Sequence, residues 1–162
     1  MNKTITPSKL YKLNLAAGFL HLVQAIVVLV VSKSFTIPVS ANFLAFDDST
    51  QTLQPASTSI FGLSLPLLIA SFFFLSAFFH FFIATVYRKK YESDLKLGIN
   101  RARWIEYSLS ASIMMVAIST LVGVYEFSSL LMIFALTSVM NLMGLVMEVH
   151  NQTTKKNRLA EL

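Results

Sequence analysis

Three ionisable residues stand where ionisable residues are costly. His21 lies within the charge-free run Leu13–Ser32, His80 within Ser49–Tyr87, and Glu106 directly ahead of Tyr107–Tyr125. An acid or imidazole inside a membrane-spanning segment is a functional candidate by default, because hydrocarbon penalises it unless it faces a cavity or a partner. At about 1.5 Å per helical residue, His21 is roughly 13 Å beyond Lys12, His80 roughly 12 Å before Arg88, and Glu106 roughly 18 Å from a helix start at Asp94. All three are expected at similar depth. Gln24 falls one turn from His21, Ser76 one turn from His80 and Ser110 one turn from Glu106, each pair on one helix face. Small residues share two of those faces, Ala17, Gly18 and Ala25 on one and Ala77 and Ala84 on the other, so the helices can approach closely. The spacing predicts three helices converging on a polar cavity able to hold a charge in a low-dielectric interior.

Plainer roles fit the same spacing. His21 could donate to a neighbouring carbonyl, His80 could point to the interface, and Glu106 could be a first-turn acid paired with Arg103. Two histidines and one carboxylate on separate helices have no spacing that selects a metal, and no metal is expected. Thr137, Asn141 and Glu148 lie near one face with Gly144 between them, which suits a helix contact, although Glu148 reads first as a solvated end charge. Met114, Met115, Met140 and Met143 could border a flat apolar ligand or simply pack. No nucleophile elbow, phosphate-cradling glycine loop or HExxH is present, so an enzyme is not expected.

The elements that must position these residues are legible from charge. The 162 residues are 55% hydrophobic and 13% charged, about half the charge of a typical soluble domain. Four runs lack Lys, Arg, Asp and Glu: Leu13–Ser32, Ser49–Tyr87, Tyr107–Tyr125 and Phe127–Met147, of 20, 39, 19 and 21 residues. Each is long enough to cross a hydrocarbon core once. A soluble bundle needs a polar stripe on every helix, and FFFLSAFFHFF at Phe72–Phe82 has none. The first run is too long for a signal-peptide core and lacks a small-residue cleavage site. With no cysteine, disulfides and thiolate chemistry are excluded. A formal charge of +5 comes without an aromatic–basic repeat or helix-turn-helix pattern, so nucleic acid is not an expected partner. The lipid bilayer is.

Four crossings place twelve of the thirteen basic residues on one side, with Lys33 the exception. The positive-inside rule makes that side, and both termini, cytoplasmic. One transmembrane domain over 1–162 is expected, with helices at about 9–31, 57–90, 94–125 and 128–150. The second is capped by Ser57 or Thr58 and bent by Pro66, and the third opens on Ser93 and Asp94. The stretch at about 33–56 alternates apolar and polar residues around Pro38, the pattern of a short extracellular β-hairpin with an edge that could pair with another copy.

NRARWIEYSLSASIMM, Asn100–Met115, resembles the third helix of heliorhodopsins, microbial-rhodopsin relatives of inverted membrane orientation. The likeness extends to His21 in helix 1, the strand-forming outer loop, SAFFHFF in helix 2 and NLMGLVMEVHNQ in helix 4, with RWIEYS its most specific piece. It implies an all-α membrane fold of seven helices, of which this chain has four, around all-trans retinal held as a protonated Schiff base on a lysine of the seventh helix. The resemblance makes Glu106 the counterion, Ser76 and Ser110 its neighbours, and His21, Gln24, His80, Tyr91 and Asn100 the cytoplasmic polar cavity. It implies a light-sensing photoreceptor of the cell membrane, not a strong ion pump, that forms a homodimer. The departure is that every lysine lies near a terminus or a connection and none occupies the centre of a spanning helix. The chain is therefore expected to be a truncated portion that does not bind the chromophore covalently by itself. The competing expectation is a small four-helix structural or interaction protein without pigment.

Overall fold

The computed structural model describes residues 7–160. Lys3 and the side chains of Lys155, Lys156 and Arg158, which contribute to the charge asymmetry, lie outside what is described. The chain runs α1 (Pro7–Val31), β1 (Thr36–Asp47), β2 (Thr52–Ser64), α2 (Leu65–Ala84), α3 (Arg88–Lys96), α4 (Arg101–Leu121) and α5 (Phe127–Ala160). Helices α1, α2, α4 and α5 each contain a stretch long and apolar enough to cross a bilayer: Ser8–Val31, Leu65–Ala84, Arg101–Leu121 and Phe127–Thr154. The protein is a multi-pass helical membrane protein with one two-stranded antiparallel hairpin. The helices pack in chain order, α1 on α2, α2 on α4 and α4 on α5. A side chain at Gly18 would collide with the Phe81 ring, and Ala25, Ala77 and Ala84 are buried, so small residues do mark the α1–α2 approach.

Several boundaries depart from the sequence reading, among them the end of α4, at Leu121 rather than about 125. The hairpin runs further along the chain than expected, to Ser64: Ser57 and Thr58 pair with Asn42 and Ala41 inside β2 rather than capping a helix. Strand and helix compete for an uncharged run, and the period-two segment STSIFGLS continues the ladder until proline ends it. Ser64 is the actual N-cap of α2 and Pro66 occupies its first turn, where a missing N–H costs nothing, so Pro66 starts the helix instead of bending it. The Leu65 N–H donates to Phe35 O at 3.1 Å, closing the hairpin onto the helix.

The second departure is that α2 stops at Ala84 instead of running on to Lys90, and the residues from Arg88 form the separate helix α3. The third is that Ser93 and Asp94 do not open the next spanning helix but belong to α3. Gly98, at φ 72°, ends α3 in the left-handed conformation that glycine tolerates. Asn100 then caps α4, its Oδ1 accepting the Arg103 N–H at 3.2 Å. Asp94 is buried where these pieces meet: Oδ1 accepts from Arg101 at 2.7 Å and Oδ2 from the Tyr87 hydroxyl at 3.1 Å. The last spanning helix begins one residue earlier than expected, at Phe127, and continues beyond His150 to Ala160.

Candidate functional site in the helix bundle

A cavity of about 340 Å³ opens among α1, α2, α3 and α4. His21, Ser76, His80, Tyr91, Asn100, Glu106 and Ser110 line it, together with Asn14, Phe72, Ile83, Arg103 and Tyr107. Seven residues singled out in the sequence are thus brought together. The distances from the helix ends differ from the sequence reading for two of them: with α4 starting at Arg101 and α2 ending at Ala84, Glu106 is about 8 Å from its helix start and His80 about 6 Å from its helix end. The three side chains still meet at one level of the bundle.

Glu106 is 7% exposed. The Ser76 hydroxyl is placed to donate to its carboxylate, and His21 is near enough to act on it electrostatically. Arg103 does not pair with it: its guanidinium lies 3.6 Å from Glu148 and over the Trp104 ring. Among the described residues no lysine or arginine forms an ion pair with Glu106. A buried carboxylate without a cation is a preformed site for a positive charge.

The two imidazoles stack, with centroids 5.5 Å apart and planes at 13°. His80 Nδ1 is 3.0 Å from Asn14 Oδ1, and Asn14 Nδ2 donates to Leu10 O at 3.1 Å, which fixes the amide orientation. His21 Nδ1 is 2.9 Å from Gln24 Oε1. Each amide oxygen accepts from Nδ1, leaving both Nε2 atoms as the basic nitrogens. Gln24 therefore does not line the cavity but orients a histidine that does.

Sequence reasoning missed Asn14 and Arg103. Asn14 was detectable, since it precedes His21 by seven residues and so shares its face. It also placed Glu148 among solvated end charges, whereas Glu148 Oε2 accepts from Trp104 Nε1 at 2.6 Å and from the Asn100 N–H at 2.9 Å, tying α5 to the first turn of α4. Two of the buried serines of α4 bond within the helix, Ser108 donating to Ile105 O and Ser112 to Ser108 O.

Of the four methionines, Met114 borders a separate apolar pocket of about 140 Å³ with Leu68, Ile69, Phe72, Phe73 and Ala117. Met115, Met140 and Met143 are exposed on the helix surfaces and join no cavity described here.

Spanning helices enclosing a polar cavity with a buried, unpaired carboxylate define a rhodopsin-like membrane protein. The heliorhodopsin family profile matches residues 10–161, and the chain belongs to that family. No curated protein matches it.

The family's complete fold implies retinal. These residues fit the charged end of that group, with Glu106 and Ser76 on one cavity wall and the apolar Met114 pocket sharing Phe72 with it. They do not supply an amine, since no lysine lines either space. No covalent step can be written with this chain's own cavity residues.

Proposed function

We propose that residues 1–162 build the counter-charge side of a light-sensing retinal site, with the N-terminus cytoplasmic. The observation that carries this reading is Glu106: buried, beside Ser76, and in no ion pair with a lysine or arginine among the described residues. Retinal, when bound, supplies the light absorption and a positive charge. Glu106 faces that charge, and Ser76 orients the carboxylate. Ser110 lines the same wall one helical turn further along α4. The Nε2 atoms of His21 and His80 are the acceptors for a proton released into the cavity, while Tyr91 and Asn100 bound its basic side. The role in this reading is sensory rather than enzymatic or strongly pumping, in line with membership of the heliorhodopsin family.

The lysine is supplied, in this reading, by the later helices of the family's fold, of which residues 1–162 form a portion. Coexpression with a polypeptide carrying helices 5 to 7 of a heliorhodopsin, followed by all-trans retinal, is expected to yield a visible band. Glu106→Gln should shift that band and lower the pH at which it bleaches to the deprotonated form, as removing an opposing charge requires. A band indifferent to Glu106→Gln would end the counterion assignment. The chain alone should give no red-shifted band, and one that survives lysine replacement would overturn the division of labour.

A homodimer is also part of this reading. Its support is the outer edge of β2, which pairs with no other strand among the described residues, and the exposed Phe43, Leu44, Phe46 and Leu53 on the hairpin. Cross-linking through cysteines introduced at Ser57 should trap a dimer in membranes. Only monomer at all cross-linker lengths would remove the hairpin from the interface.

A further inference from the structure

We propose that the outward face of α3 binds anionic phospholipid headgroups, making this short helix an interfacial anchor beside the cavity. α3 divides cleanly by helical period. Tyr91 and Asp94 are buried inward, while Lys89, Ser93 and Lys96 are exposed at spacings of four and three residues, hence on one face.

The cations around α3 are of two kinds. Three are committed to the protein: Arg88 holds Glu92 at 2.9 Å and lies over the Tyr11 ring, Arg101 holds Asp94, and Arg103 faces Glu148. Lys89 and Lys96 have no partner among the described residues. Lys90 is 61% exposed and reaches Asp94 only at 3.7 Å, where Arg101 is already seated at 2.7 Å. The acids of the segment are spent as well, Glu92 on Arg88 and Asp94 on the inner side, so nothing neutralises the outer face.

The ends of α3 supply the second requirement of an interfacial helix. Val86 and Leu97, which flank it, are 80% and 61% exposed. They stand where α2 ends and α4 is about to begin, the level at which acyl chains meet headgroups. Apolar ends with a basic outer face match a bilayer surface: side chains enter the acyl boundary while ammonium groups reach the phosphates. A soluble anion would gain nothing from Val86 and Leu97, which is why the occupant is a lipid.

Native mass spectrometry of the full chain, titrated with phosphatidylglycerol or phosphatidylcholine, reads the preference directly. A juxtamembrane lysine near an anionic surface contributes about fivefold, so phosphatidylglycerol should bind roughly tenfold or more tightly than phosphatidylcholine. Lys89→Gln with Lys96→Gln should abolish most of that ratio, Lys89→Arg with Lys96→Arg should keep it, and Lys33→Gln, at the far end of α1, should leave it unchanged. Because the chain has no cysteine, Ser93→Cys carries a single fluorophore on the same face, whose emission in nanodiscs should respond to phosphatidylglycerol and not to phosphatidylcholine. Equal binding of the two lipids, an unchanged ratio in the glutamine variant, displacement by inorganic phosphate at equal concentration, or a silent Ser93 probe would each overturn the assignment.

Discussion

Glu126 shows how much a single exposed carboxylate can organise. Its two oxygens accept the Ser128 and Ser129 amides, at 3.0 and 2.6 Å, satisfying N–H groups that the start of α5 leaves open. Those backbone bonds pull its pKa from the model-compound value of 4.5 to about 2. The folded pKa lies below the unfolded one, so the stabilisation is complete above about pH 4.5 and is lost as pH falls towards 2. Protection of the Ser128 and Ser129 amides, measured against their intrinsic exchange at each pH, should therefore fall across that window, and Glu126→Ala should show low protection at every pH. An identical pH profile in parent and variant would remove the cap.

Asp94 works by burial instead. Burial first, then its hydrogen bond and negative charge, raise the Tyr87 hydroxyl above its ordinary range. Asp94→Ala leaves the Arg101 guanidinium and the Tyr87 hydroxyl without their acceptor and should cost about 2–4 kcal/mol, part of it offset because Arg101 reaches solvent. Denaturant unfolding in detergent measures it, and Tyr87→Phe should cost much less.

At the scale of elements, α4 and α5 meet through one glycine. A side chain at Gly144 would run into the Trp104 ring, and Trp104 is the chain's single tryptophan. Gly144→Ala should force the indole out, break its hydrogen bond to Glu148 and destabilise by about 1–3 kcal/mol. The shift of tryptophan emission reports this without a label, and unchanged emission would mean that the backbone yields instead.

The same scale shows what a sequence exposes. The four spanning helices were legible because charge marks their limits, and His21, Ser76, His80, Glu106 and Ser110 were legible because helical period puts each with a polar neighbour. The α2 boundary was not, since Ser49–Tyr87 contains no charge and both strand and helix suit its apolar residues. The informative signal there was Pro66 two residues after Ser64, an N-terminal pair rather than a kink. The α3–α4 break was marked by Gly98 and Asn100, a stop followed by a cap, which the cap-like pair Ser93 and Asp94 obscured. The face of α5 carrying Gly144 and Glu148 was legible as a helix contact, but its partners Trp104 and Asn100 were not, because 44 and 48 residues separate them from Glu148.

For the whole molecule, the proposed orientation rests on basic residues on one side, a pattern that the revised boundaries keep because the cations of α3 still lie between α2 and α4. A glycosylation acceptor placed in the turn at Ser49 should be modified, and one in the C-terminal tail should not. The reverse pattern would invert the molecule.

The hairpin does not hang free from this frame. Ser40 donates to Tyr125 O at 2.9 Å and bridges to Glu126, so β1 is stitched to the turn that launches α5. On the opposite side Asp94 rivets the α2–α3 turn to the head of α4. The bundle is thus fastened at both rims, with the hollow lying towards the α3 rim. Any swelling or shrinkage of that hollow must bow the helices between two fixed hoops, as staves bow in a cask, and strain reaches both membrane surfaces at once.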